Sequence, residues 1–166
     1  LKVELPIMAT GEPEENKSKD GTAKLLVPCA DGQPVECVLI PEPPGKSPPE
    51  RRTVCVSTQA GCPVGCVFCA SGLAGLARNL SAAEIVAQVL IARDALGEWP
   101  TAERPLNDGE RKLTNIVFMG MGEPLYNLDN VVEALETIGD GDGISISKRR
   151  ITVSTAGVAP KIKELG

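Results

Sequence analysis

The sequence predicts an α/β chain: a β-hairpin followed by about three βα units of a parallel, barrel-type sheet. Three observations predict it. From Thr53 onward, apolar strand-like runs alternate with amphipathic helical stretches, the order that successive crossovers impose on a parallel sheet. Before that, two β-type runs flank Asp31-Gly32, a hairpin signal. Finally, three motifs of polar and small residues each follow directly on a strand, and in a β/α barrel that end of the strands carries the chemistry.

Residues 1–22 are polar and are expected to be a flexible lead-in. Lys24–Cys29 and Val35–Ile40 make the hairpin, with Cys29 and Cys37 opposite one another as packing residues. The stretch from Pro41 to Pro49 holds five prolines and reads as loop, closing a unit over residues 23–52. Residues 53–166 form the second unit, the first half of a barrel. Thr53–Thr58 is its first strand, and a cysteine-rich loop follows. Ser81-Ala82-Ala83-Glu84 is a capping box; beyond it Ile85, Val89, Ala92 and Leu96 share one helical face until Gly97. Pro100–Arg111 is a polar loop. Asn115–Met119 reads as a strand buried on both faces. Gly120 to Pro124 turns away from it into a helix over Leu128–Ile138. Arg150–Ser154 is the third strand and Ala159–Leu165 opens a third helix. Three units do not close a barrel, so the last strand is expected to have an unpaired edge. The chain starts on Leu1 and stops at Gly166 within a helical pattern, as a fragment would.

Composition narrows the function. Lys+Arg 17 against Asp+Glu 22 gives a net charge of −5 over 166 residues, unlike a free-standing polyanion binder. With His 0, neither Ser-His-Asp nor Cys-His catalysis fits within the chain. No apolar run approaches the roughly 18 residues of a membrane span. The start lacks the pattern of a secretory signal, so the thiols are expected to stay reduced in the cytoplasm.

The cysteines are Cys29, Cys37, Cys55, Cys62, Cys66 and Cys69. The last three form C-x3-C-x2-C on a loop bearing Pro63 and Gly65, and three thiolates so close can converge on one metal centre. Zinc would need a fourth ligand from Cys55, Cys29 or Cys37. An iron–sulfur cluster fits better, since thiolate is its standard ligand; three cysteines on a four-iron cluster leave one iron open to a chelating substrate. Beyond this loop, Glu123 in Gly120-Met121-Gly122-Glu123-Pro124 offers a carboxylate to an ammonium group, and the flanking glycines let a ligand approach backbone. Ser154 and Thr155 suit a ribose hydroxyl or a small-residue cap. Strand-borne Cys55 reads as a small buried hydrophobe, Glu36 as a solvent-facing strand residue, and Lys148-Arg149-Arg150 as a solvated approach to a strand.

Cys62-x3-Cys66-x2-Cys69, with Phe68 before the last cysteine, resembles the cluster motif of the radical S-adenosylmethionine superfamily, and Gly120 to Pro124 resembles its motif for the methionine amino group. Cys55-Val56-Ser57-Thr58-Gln59-Ala60-Gly61-Cys62, Arg78-Asn79-Leu80, Phe118 to Asn127 and Ser147 to Val158 together resemble the RlmN/Cfr family of RNA adenine-C2 methyltransferases. The resemblance implies a partial radical-SAM barrel. It implies a [4Fe-4S] cluster on Cys62, Cys66 and Cys69, and S-adenosylmethionine held by Gly122, Glu123 and Ser154. A family cysteine further along the chain carries the methyl group to adenine of 23S rRNA and tRNA. Cys55 matches the cysteine that resolves the enzyme–RNA adduct by forming a disulfide, and Glu36 a glutamate that assists deprotonation. An electron donor such as a flavodoxin, a monomeric state and a cytoplasmic location complete the expectation. Two alternatives stand beside it: a zinc-stabilised RNA-binding module, and a radical enzyme with another substrate.

Overall fold

Alternating strands need a sheet with one covered face, and the chain builds one of six strands. The computed structural model describes residues 13–41, 52–98 and 111–165. In chain order the strands are β1 (Glu14–Lys17), β2 (Ala23–Pro28), β3 (Pro34–Pro41), β4 (Arg52–Cys55), β5 (Gln59–Gly61), β6 (Leu76–Asn79), β7 (Asn115–Phe118) and β8 (Ile151–Val153). The helices are α1 (Ala70–Leu73), α2 (Ala82–Ala95), α3 (Leu128–Gly139) and α4 (Ala159–Leu165). The large sheet runs β1-β2-β3-β4-β7-β8. Its first four strands are antiparallel, and β7 and β8 continue from β4 in parallel. β5 and β6 form a separate antiparallel pair. The expected βα order holds, and among the described residues β8 is the last strand of the sheet.

One face of the sheet carries the core. Leu25, Val27, Val35, Cys37, Leu39, Val54, Ile116 and Phe118 are buried there with Ile85, Val89 and Ala92 of α2 and Val131, Ala134 and Ile138 of α3. Each such aliphatic side chain contributes about 1.5–3 kcal/mol by leaving water. The other face is half open: Val38, Cys55 and Val117 are register neighbours of intermediate burial, and Lys24 and Thr152 beside them are exposed.

Several details differ from the sequence reading. The sheet begins at Glu14, within the stretch read as lead-in, because β1 pairs with β2 despite its wholly exposed, charged side chains. Cys29 and Cys37 are buried packing residues, as expected, but are not opposite one another: Cys37 faces Leu25, and Cys29 lies past β2 in the turn, its N–H bonded to Gln33 O. β7 is not covered on both sides; its residues alternate between buried and half-buried, and Met119 beyond it is 61% exposed. The strand over Thr53–Thr58 stops at Cys55, where the chain bends away. Residues 42–51 of the proline-rich loop and 99–110 of the second loop lie outside the described residues.

The capping box at the start of α2 is formed: Ser81 Oγ accepts from the Glu84 N–H, and the Glu84 carboxylate accepts from the Ser81 N–H. Replacing Ser81 by Ala removes one acceptor from the first turn. In chemical denaturation of the full-length protein we expect a loss of about 1 kcal/mol, with an unchanged dependence on denaturant.

Candidate functional site

The cysteine loop leaves the core on β5 and returns on β6, so this antiparallel pair closes its base. The Cys62 N–H donates to Gly75 O at 2.8 Å. Gly61, at φ +81°, packs so closely that a Cβ there would lie 1.9 Å from the Gly75 carbonyl oxygen. Only glycine permits this closure. Within the loop the backbone makes tight turns: the Cys69 N–H donates to Cys66 O at 3.0 Å, and the Gly72 N–H to Cys69 O at 3.1 Å. Cys69 precedes the first turn of α1, and the backbone N–H groups of Gly72 and Ser71 hold its thiol below the usual cysteine range.

Three segments distant in sequence surround one cavity of about 280 Å³. The loop contributes Cys62, Cys66, Phe68 and Cys69; the turn after β7 contributes Gly120, Gly122 and Glu123; and the segment after β8 contributes Ser154 and Thr155. The sequence reading placed these three motifs at one end of the strands, and the structure brings them to one hollow. A larger hollow of about 460 Å³ beside Lys17, Leu39, Arg52 and Leu96 contains no cysteine.

All six cysteines are free thiols, so no disulfide involving Cys55 is present. They fall into two groups. Burial pushes the Cys37 thiol up to about 12 and raises Cys29 as well, which makes both poor thiolates. The loop thiols are half-exposed. Among the described residues, no three His, Cys, Asp or Glu side chains converge on a point that would hold a single ion. The three sulfurs line one cavity, and an all-thiolate set of three fits an iron–sulfur cluster, whereas a structural zinc needs a fourth ligand.

Glu123 is only 3% exposed, and its carboxylate already has partners. Oε1 accepts from the Leu125 N–H at 3.0 Å, and Oε2 from the Ala156 N–H at 2.6 Å. It therefore caps the short 3-10 helix Pro124–Asn127 and ties the turn after β7 to the segment after β8. Each oxygen keeps a further lone pair for a ligand. The neighbouring glycines serve packing more than ligand approach: a Cβ on Gly122, at φ +99°, would lie 2.6 Å from Gln59 Cβ. Thr155 acts as a local cap, its Oγ1 accepting from the Gly157 N–H at 3.1 Å, whereas Ser154 stands exposed at the cavity.

Cys55 and Glu36 do not line the cavity. Both lie on the half-open sheet face, Cys55 opposite Val38 and Glu36 two residues before it. Cys55 is half-buried rather than packed away; desolvation raises its thiol pKa, against a weaker opposing effect of the Met119 N–H. Glu36 pairs with Lys24 Nζ at 3.0 Å. Lys148-Arg149-Arg150 is an exposed turn leading into β8, as expected.

Sequence reasoning missed the polar side chains that hold these segments. Arg78 on β6 reaches Asp31 in the hairpin turn (Nε to Oδ2, 2.6 Å) and Glu84 at the start of α2 (Nη2 to Oε1, 2.8 Å). Its guanidinium is the main cause that lowers Asp31 to about 2. Gln88 lies fully buried on α2; its spacing of three from Ile85 was the available signal.

A carboxylate depressed in the folded state stabilises above its unfolded pKa and stops doing so as pH falls through the folded value. For Asp31 the window runs from 3.8 down to about 2. Asp31→Asn is expected to flatten part of the stability loss over that window, read by denaturation at several pH values, and to leave stability at neutral pH only slightly reduced, because the pair is partly exposed.

The model of the Radical SAM superfamily matches residues 56–166. The chain is similar to two proteins named dual-specificity RNA methyltransferase RlmN. It is 57% identical over 166 residues to that of Hyphomonas neptunium, covering 100% of this chain and 39% of that protein. It is 55% identical over 153 residues to that of Phenylobacterium zucineum, covering 92% of this chain and 37% of that protein. A crystal structure of a radical SAM methyltransferase from Sphaerobacter thermophilus superposes with a TM-score of 0.80 at 42% identity, over 98% of this chain and 43% of that one. The chain thus spans under half the length of the relatives it matches.

Proposed function

The chain belongs to the Radical SAM superfamily, and from that premise we propose that it is the cofactor-binding segment of an RNA methyltransferase acting on C2 of adenosine in 23S rRNA and tRNA. The observation that carries the reading is the single cavity shared by Cys62, Cys66, Cys69, Glu123 and Ser154. The two RlmN relatives support the substrate class.

In this reading Cys62, Cys66 and Cys69 hold a [4Fe-4S] cluster with one iron left for S-adenosylmethionine. When bound, these would supply one-electron hydrogen-abstraction chemistry to the methyl group on the family's methyl-carrying cysteine, and such open-shell chemistry suits the electron-poor sp² C2 of adenine, where polar methyl transfer finds no lone pair. The chain's own residues prepare the place. The backbone N–H groups of Gly72 and Ser71 lower the Cys69 thiol's pKa, which eases its loss of a proton to give a ligand-binding thiolate. Glu123 is fixed by two backbone donors, so its remaining lone pairs meet the methionine ammonium without reorganisation. Gly122 keeps the turn flat against Gln59, and the Ser154 hydroxyl faces the ribose. Cys55 resolves the enzyme–RNA adduct; burial raises its thiol pKa. Glu36 assists deprotonation once released from Lys24. The methyl-carrying cysteine belongs to the part of the relatives' length that this segment does not span. A one-electron donor such as a flavodoxin, a monomeric state and a cytoplasmic location complete the proposal. No helix among the described residues is long and apolar enough to cross a membrane.

Two experiments test it. Full-length protein reconstituted with iron and sulfide without oxygen should show broad absorbance near ~400 nm, and Cys66→Ala should lose both the colour and the iron. Deleting the gene should abolish 2-methyladenosine in 23S rRNA and tRNA; retention of the modification in the deletion strain overturns the substrate assignment.

A further inference from the structure

The cysteine loop and the Glu123 turn come from different strands, yet any ligand spanning them needs a fixed spacing. One buried side chain touches both. Gln59, 0% exposed, opens the first leg of the loop. Its Oε1 accepts from the Glu123 N–H at 2.8 Å, and its Nε2 donates to Asn79 Oδ1 at 2.7 Å. Asn79 is its register partner on β6, the second leg. Asn79 Nδ2 in turn reaches Tyr126 O at 3.4 Å, beyond the Glu123 turn. The Gln59 N–H donates to Met121 O at 3.2 Å, and Gly122 lies flat on the Gln59 side chain. The amide pair therefore spans both legs of the loop and both sides of the turn.

We infer that Gln59 and Asn79 are positioning residues, an amide clamp that sets the Glu123 turn against the cysteine loop. The inference rests on the function proposed above only for the identity of what is positioned. Asn79 holds Gln59 in the one amide orientation that offers Oε1 to the Glu123 N–H; without that acceptor, Gln59 can rotate and leave the Glu123 N–H unpartnered. Neither residue touches the reacting atoms. Asn79 is itself solvent-exposed, so its replacement leaves the core intact.

The test compares Asn79→Leu with Asn79→Asp in the full-length protein. Aspartate keeps an oxygen to accept from Gln59 Nε2; leucine does not. Amide hydrogen exchange at Glu123, measured on the cofactor-free protein, should quicken about tenfold in Asn79→Leu, the scale of one buried hydrogen bond, and stay near its original rate in Asn79→Asp. On the reconstituted protein, Asn79→Leu should retain its iron and its melting temperature. It should bind S-adenosylmethionine about tenfold more weakly, with a diminished change in the reduced cluster's EPR spectrum on adding it, and Asn79→Asp should restore both. Unchanged exchange at Glu123, equal binding by both variants, or loss of iron from Asn79→Leu each overturns the clamp. If the Glu123 amide is freed as expected but the unaltered reconstituted protein takes up no S-adenosylmethionine, the clamp stands and the proposed function falls.

Discussion

The structure depends on satisfying the backbone of a short polar stretch that has left the sheet without reaching water. Ser57, Thr58 and Gln59 are 0–1% exposed, and a buried peptide group without a partner costs free energy comparable to a lost hydrogen bond. Every neighbouring element answers that demand. Gln88 of α2 brackets Ser57, its Oε1 accepting from the Ser57 N–H and its Nε2 donating to Ser57 O. Ser57 Oγ donates to Glu36 O on β3 and accepts from the Met121 N–H. Asn127 Nδ2 and the Leu80 N–H both donate to Thr58 O. Removing Gln88 leaves the Ser57 N–H buried and unpaired, so the stretch couples sheet, helix and site.

This hub explains why the cavity forms where it does. Since β4 ends at Cys55, the next residues are free to turn across the end of the sheet and launch the cysteine loop on β5. The parallel neighbours β7 and β8 end at the same level, so the turn after β7 and the segment after β8 meet the loop there. The Glu123 carboxylate joins those two segments by bonding Leu125 and Ala156. A group suited to an ammonium ligand thus also has a packing role, and its burial gives the site rigidity before any ligand arrives.

The two sheet faces divide the labour. The covered face is apolar and takes α2 and α3. The half-open face carries Cys55, Val38, Glu36 and Val117, side chains not needed for packing. Cys55 could not be placed from sequence, since a lone strand cysteine is usually filler; the register put it on the open face. Glu36 falls on the same face by the two-residue period of a strand.

What the sequence determined by itself is local. The capping box at Ser81, the buried Ile85, Val89 and Ala92 of α2 and the Asp31-Gly32 turn are short-range patterns, and each appears as read, while α2 is buried more widely than one face and Leu96 falls just past its end. The strand–helix order even foretold that three motifs would share one end of the sheet. Only the tertiary structure decided which polar residues are structural. Gln59, Asn79, Gln88 and Arg78 each find a partner 20 or more residues away, and an amide or guanidinium in a sequence looks the same whether it meets water or a buried N–H. Pairing β1 into the sheet and separating Cys29 from Cys37 were likewise questions of register, fixed by which neighbour a strand meets rather than by its own residues.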